Sequence, residues 1–145
     1  MKKLYILLAA VMISLSTVSA QQTNEKELAV DNLSIIYREG DIIPEGQREE
    51  NSLNIFFDLK ESQKADRIKV IIKSVSNGEI LFVETLKVEE VDGRVFYYHR
   101  NRRKEIRGSG TVMLLMYIDN LTQSDIKVEV FAVDKNGNSS NKLIQ

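Results

Sequence analysis

Three Asn-Gly or Asp-Gly dipeptides lie between runs of strand-like sequence, and they constrain the fold more than any other feature of the chain. Each dipeptide supplies the positive φ angles that a two-residue type I′ hairpin loop requires. The dipeptides are Asn77-Gly78, Asp92-Gly93 and Asn136-Gly137. They separate residues 67–76 from 79–88, 86–91 from 94–99, and 126–135 from 138–144. We therefore predict antiparallel hairpins at all three places, the first two joined in a three-stranded meander.

A two-residue first loop also predicts the register of that hairpin and the face on which each side chain lies. The predicted pairs are Ser76 with Glu79, Val75 with Ile80, Ile72 with Val83, Val70 with Thr85 and, in the second hairpin, Val88 with Tyr97. One face then carries Ile68, Val70, Ile72, Leu81 and Val83. The opposite face carries Ile71, Val75, Ile80, Phe82 and Leu86.

Both faces of this hairpin are apolar, although a single sandwich buries only one face of each sheet. The second face is therefore either covered by residues 100–110 or the N-terminal segment, or left open for a protein partner. The candidate interface residues are Ile71, Val75, Ile80 and Phe82.

The remaining chain repeats the strand pattern. Apolar residues alternate with other residues over 52–59, 111–118 and 126–132, and a further strand-like run surrounds Leu33 to Ile36. No segment after the N-terminal region shows a sustained helical period. We expect an all-β, antiparallel sandwich or barrel of about 7–8 strands. Because the chain contains no cysteine, its core forms without disulfides, and thiolate metal sites are excluded.

The N-terminal residues have the pattern of a secretory signal peptide. Lys2 and Lys3 precede an apolar run over residues 4–13, and Val18-Ser19-Ala20 offers small residues for cleavage. An apolar run of this length is shorter than a membrane span, which needs roughly 20 residues. We predict a signal peptide at 1–20, a flexible lead-in at 21–27 and a single β-sandwich domain at 28–145. The product is expected to be exported, periplasmic or secreted, and to have no transmembrane segment after cleavage.

The segment from Ile126 to Ser140 resembles the penultimate strand, hairpin and last strand of fibronectin type III and related immunoglobulin-like domains. Alternating apolar residues lead to Ala132, and a polar Asn136-Gly137 turn and a Ser-rich stretch follow. The chain lacks the family's core Trp, and no Tyr stands where a tyrosine corner is expected. The resemblance implies an immunoglobulin-like sandwich with a binding or spacer role, and no catalytic residue.

A basic run is the main candidate for ligand chemistry. It follows an aromatic cluster, and guanidinium groups can bind sulfate, phosphate or carboxylate groups bidentately while Tyr rings stack on sugars. The candidate residues for polyanion binding are Arg100, Arg102, Arg103, Lys104, Arg107, Tyr97 and Tyr98. The alternatives are a solvated loop after a strand, or a loop paired with the acidic stretch that contains Glu39, Asp41, Glu45, Glu49 and Glu50.

No constellation for catalysis is apparent, because the single histidine, His99, has no identifiable nucleophile or orienting acid. We expect no enzyme activity, no metal site and no cofactor. A formal net charge of −1 argues against nucleic acid as a partner. The sequence therefore favours an exported, non-catalytic binding or accessory module that contacts an envelope protein. The alternative is an anionic glycan or lipid head group bound by residues 99–107.

Overall fold

The computed structural model describes residues 26–40, 50–119 and 121–145. The predicted signal peptide, most of the predicted lead-in and most of the acidic stretch lie outside these residues. The described chain forms nine strands, which are β1 (Ala29–Arg38), β2 (Ser52–Lys60), β3 (Ala65–Ser74), β4 (Ile80–Val91), β5 (Arg94–His99), β6 (Arg102–Ile106), β7 (Thr111–Tyr117), β8 (Ile126–Asp134) and β9 (Leu143–Ile144).

The strands form two antiparallel sheets, so the predicted all-β character is confirmed. The smaller sheet has the order β1-β2-β7, and the larger has the order β6-β5-β4-β3-β8-β9. Single 3-10 turns at Ser62–Lys64 and Gln123–Asp125 are the helical elements of the described residues. In this part of the chain no helix has the length and hydrophobicity required to cross a membrane.

Buried side chains from both sheets form one continuous hydrophobic cluster. The smaller sheet contributes alternate residues of β2 and β7, among them Ile55, Phe57 and Leu114. The larger sheet contributes Val70 of β3 and Val130 of β8, which lie opposite each other. The period of two that is visible in the sequence therefore marks the inner face of each sheet.

The predicted register of the β3–β4 hairpin is wrong by one residue. Ile72 opposes Phe82, and Ile71 opposes Val83. The loop is longer than two residues, because the Ser74 N–H donates to the Glu79 carbonyl at 2.8 Å. A bulge then shifts the register next to Ile72.

The Asn77 side chain explains the longer loop, since its Oδ1 accepts the Glu79 N–H at 3.0 Å. Gly78 has a positive φ of 73°, whereas Asn77 does not. The pair therefore does not adopt the type I′ conformation, which needs positive φ at both positions. Because a shift of one residue exchanges the faces, Phe82 and Leu86 lie on the core side and Val83 on the outer side.

The Asp92-Gly93 hairpin has the predicted geometry. Both residues have positive φ angles, 53° and 73°, and Val88 opposes Tyr97 as expected. The third dipeptide also lies in a hairpin, although its loop is longer, because the Asp134 N–H donates to the Asn138 carbonyl. Local turn chemistry thus predicted three hairpins and the register of the second.

Side chains from β5 and from the segment between β8 and β9 bind both edges of the smaller sheet. At the β1 edge, Asn141 bonds the backbone of Val30, accepting from its N–H at 2.9 Å and donating to its carbonyl at 2.8 Å. At the β7 edge, the Tyr97 hydroxyl bonds the carbonyl and the N–H of Met113 at 2.9 and 3.2 Å. These contacts tie the sheets together, and they occupy the edge groups of β7 at Met113 and of β1 at Val30, which then cannot pair with another chain.

Candidate functional site

The basic run expected as a loop is a hairpin with a strand of its own. Arg100 and Asn101 form its tip, with positive φ angles of 49° and 60°. Asn tolerates this conformation, whereas an Arg with positive φ is uncommon. The Arg100 guanidinium lies 4.6 Å from the centroid of the Tyr117 ring on β7, and this cation–π contact holds the tip against the smaller sheet.

The alternation of β6 sends its basic side chains to two different faces. Arg102 opposes His99, and Lys104 opposes Tyr97. Tyr97 and His99 are buried and bond the backbone of β7. Arg102 and Lys104 therefore share the inner face, while Arg103, between them in sequence, lies on the outer face.

The inner basic residues line an opening between β6 and β7, which we call the basic groove. Its volume is about 360 Å³. Its lining residues are Asn54, His99, Arg100, Arg102, Lys104, Met113, Leu114 and Leu115. Three of these residues are basic, none is a carboxylate, and three are apolar. The groove therefore combines positive charge with an apolar wall.

His99 forms the buried base of the basic groove and is 6% exposed. Its Nε2 lies 3.1 Å from the Leu115 carbonyl oxygen, so Nε2 must carry the proton for a hydrogen bond. Its Nδ1 lies 3.4 Å from Oε1 of Glu84 without hydrogen-bond geometry. The ring therefore connects β5 to the edge of β7.

Tyr97 has a structural role in this arrangement. It is 3% exposed, and both hydrogen bonds of its hydroxyl go to Met113. Burial raises the pKa of the Tyr97 hydroxyl, which keeps it neutral and able to donate. Its ring is not accessible for stacking on a sugar.

On the outer face of the hairpin the charged side chains have partners. Arg103 stacks on Phe96 at 3.6 Å from the ring centroid. Glu105 accepts two hydrogen bonds from Arg94, each 2.7 Å long, and also pairs with Arg107. The hydrogen bonds from Arg94 and then Arg107 lower the pKa of Glu105 from 4.5 to about 2. The Glu105 carboxylate is therefore paired with two guanidinium groups, and the Arg103 guanidinium is held against an aromatic ring.

The predicted polyanion residues thus divide into two groups. Arg100, Arg102 and Lys104 are brought together in the basic groove. Arg103, Arg107 and Tyr98 lie outside it, and the Tyr98 hydroxyl donates to Glu89. This hydrogen bond lowers the pKa of Glu89 and raises that of Tyr98.

The predicted interface residues do not share one face. Phe82 is half-buried and packs against the core. Ile71 lies on the outer face opposite Val83, and Val83 is 53% exposed. Ile80 and Val75, near the hairpin tip, are 54% and 59% exposed. The exposed apolar surface of this hairpin therefore includes Val83 in place of Phe82.

Sequence reasoning missed the contribution of β2 and β7 to the basic groove. Asn54, Met113 and Leu115 are separated from the basic run along the chain and reach it only when the two sheets pack together. No local signal in the sequence marks these residues as neighbours of Arg102.

The arrangement can bind an anionic group, because guanidinium groups donate to carboxylate, phosphate or sulfate oxygens. Among the described residues, no group of three His, Asp or Glu side chains is placed to hold a metal ion. Comparisons with protein-family models, with curated proteins and with solved structures find no match to this chain.

Proposed function

We propose that this chain is an exported, non-catalytic binding module whose basic groove recognises an anionic partner. The observation that carries the proposal is the gathering of Arg100, Arg102 and Lys104 around one opening whose lining contains no carboxylate. The apolar side chains of Met113 and Leu115 add a surface for the uncharged part of the partner.

The strand order supports an immunoglobulin-like or fibronectin type III-like type. In such domains strands A, B and E belong to one sheet, and strands C, F and G to the other. The order β1-β2-β7 corresponds to A-B-E, and β3-β8-β9 corresponds to C-F-G. Strands β4, β5 and β6 then extend the second sheet and form the hairpin that carries the basic groove.

Binding of anionic probes to charge variants tests the proposal. The probes are heparin, vesicles containing anionic phospholipid, and polyglutamate, each measured at two salt concentrations. Arg102→Ser is expected to weaken binding about tenfold, because it removes a charge-assisted hydrogen bond worth roughly 1.5 kcal/mol. Lys127→Ser is the matched control, since Lys127 is an exposed cation on β8 outside the groove. Equal losses in both variants would show that only net charge matters.

A second candidate function is protein binding through the outer face of β3 and β4. The exposure of Val83 and Ile80 favours it, since neighbouring exposed apolar side chains mark interaction surfaces. Val83→Glu is the informative variant, because Phe82→Glu would disturb the core. Capture of a native partner by the wild type but not by a stably folded Val83→Glu variant supports this surface. Capture by both variants would reject it.

A further inference from the structure

Strand β6 presents one unpaired edge at the margin of the larger sheet. It pairs with β5 alone among the described strands. The two-residue loop makes His99 and Arg102 a hydrogen-bonded pair, and such pairs alternate along an antiparallel ladder. The N–H and C=O groups of Arg103 and Glu105 therefore point away from β5.

This edge differs from that of β7, which is bonded along its centre, and from that of β1, which is bonded at Val30. The bonds to β7 come from Tyr97 and His99, and those to β1 come from Asn141. No backbone hydrogen bond to Arg103 or Glu105 from beyond β5 is present within the described residues. The outward backbone groups of β6 are therefore available to pair with an added strand.

The charge around this edge selects the kind of strand that it can accept. Residues 102–107 contain four basic side chains and one acidic side chain. A second copy of β6 would bring like charges together, whereas an acidic segment would neutralise them. A strand added at the usual spacing of about 4.8 Å would have alternate side chains on the inner face, next to Arg102 and Lys104.

We propose that the β6 edge binds an extended acidic segment of a partner protein as an additional strand, with alternate carboxylates received in the basic groove. This inference rests on the proposed function, and it identifies the anionic partner as a polypeptide. Backbone hydrogen bonds to Arg103 and Glu105 provide the pairing, and the groove provides selection for acidic side chains.

A pair of variants at one position separates backbone pairing from charge. Arg103→Ser removes the charge but keeps the outward N–H. Arg103→Pro removes both, and it preserves the ladder with β5 because the lost N–H points away from that strand. For a fluorescent peptide of alternating Glu and Val, we expect Arg103→Ser to weaken binding about threefold and Arg103→Pro at least tenfold further.

A second measurement keeps the test valid if Arg103→Pro unfolds. The wild-type protein is titrated with two methylated forms of the same peptide. One form is methylated at the backbone nitrogens of the Glu residues, and the other at those of the Val residues. One methylated form is expected to bind at least tenfold more weakly than the other, since only one set of amides faces β6. Equal affinities of the two forms for the wild type would overturn strand addition.

The remaining outcomes distinguish this inference from the proposed function. If folded Arg103→Pro and Arg103→Ser bind the peptide equally well and Arg102→Ser binds it more weakly, strand addition is rejected. The basic groove is then still supported as the binding site. Binding of heparin or anionic vesicles without binding of the peptide rejects a polypeptide partner. A dimer in sedimentation that Arg103→Pro dissociates assigns the edge to a second copy and likewise rejects the inference. Failure of Arg102→Ser to affect any probe rejects the groove itself.

Discussion

Removal of the Tyr97 hydroxyl tests how the larger sheet holds the edge of β7. In Tyr97→Phe the ring stays in place, and only the hydroxyl is lost. That hydroxyl donates to the Met113 carbonyl at 2.9 Å and accepts the Met113 N–H at 3.2 Å. The substitution therefore leaves a backbone donor and a backbone acceptor without their partner.

The magnitude follows from these two bonds. An intramolecular hydrogen bond contributes about 0.5–1.5 kcal/mol net to stability, and two of them together contribute about 2 kcal/mol. Tyr97 is 3% exposed, so water does not readily replace the hydroxyl. We expect the free energy of unfolding to fall by about 2 kcal/mol, with no change in its dependence on denaturant concentration.

The assay is urea unfolding combined with amide hydrogen exchange, and Tyr98→Phe is the matched control. The Tyr98 hydroxyl bonds the Glu89 side chain on the outer face, so its loss should cost less than about 1 kcal/mol. The hydrogen-exchange rate of the Met113 amide should rise in Tyr97→Phe and stay unchanged in Tyr98→Phe. Equal destabilisation of the two variants, or unchanged exchange at Met113, would refute the role assigned to the Tyr97 hydroxyl.

Three further predictions concern stability. Asn141→Ala should lower the free energy of unfolding by about 2 kcal/mol in urea titrations, because it removes both bonds to the β1 edge. A loss below about 0.5 kcal/mol, the contribution of one weak hydrogen bond, would contradict this. Wild type should exceed Glu105→Gln in melting temperature at neutral pH. This advantage should disappear as the pH falls from about 4.5 to about 2, since ionised Glu105 stabilises the folded state and its pKa is lowered; a pH-independent difference would exclude the ion pairs as its source. Gly110→Ala should lower the melting temperature more than Gly108→Ala. Both glycines have positive φ, but only at Gly110 would the new Cβ overlap the Leu59 carbonyl oxygen. Equal losses in melting temperature would mean that this contact relaxes.

The alternation of apolar residues was sufficient to predict the all-β class and the inner faces of several strands. Val112, Leu114 and Met116 of β7 are buried, as their spacing suggests. The Asp92-Gly93 hairpin was also predictable, because both residues adopt the conformation that their types favour. Such features depend on neighbours in the chain and need no knowledge of distant segments.

The β3–β4 register was not predictable from the turn dipeptide alone. Asn77 uses its side chain to bond Glu79, and the Val75 N–H donates to the Asp125 carbonyl at 2.9 Å. The second bond comes from the turn before β8, which is distant in sequence. A tertiary contact thus accompanies the longer loop, and the one-residue shift exchanges Phe82 and Val83 between the faces.

The sequence by itself determined the strand alternation, the positions of three hairpins and the presence of a basic run, whereas the β5–β6 hairpin was expected as a loop. Only the tertiary structure decided that Arg102 and Lys104 meet Met113 and Leu115 in one groove while Arg103 faces outward. The physical reason is that local backbone preferences act over a few residues. The groove exists only because burial of the apolar faces brings β7 beside the β5–β6 hairpin.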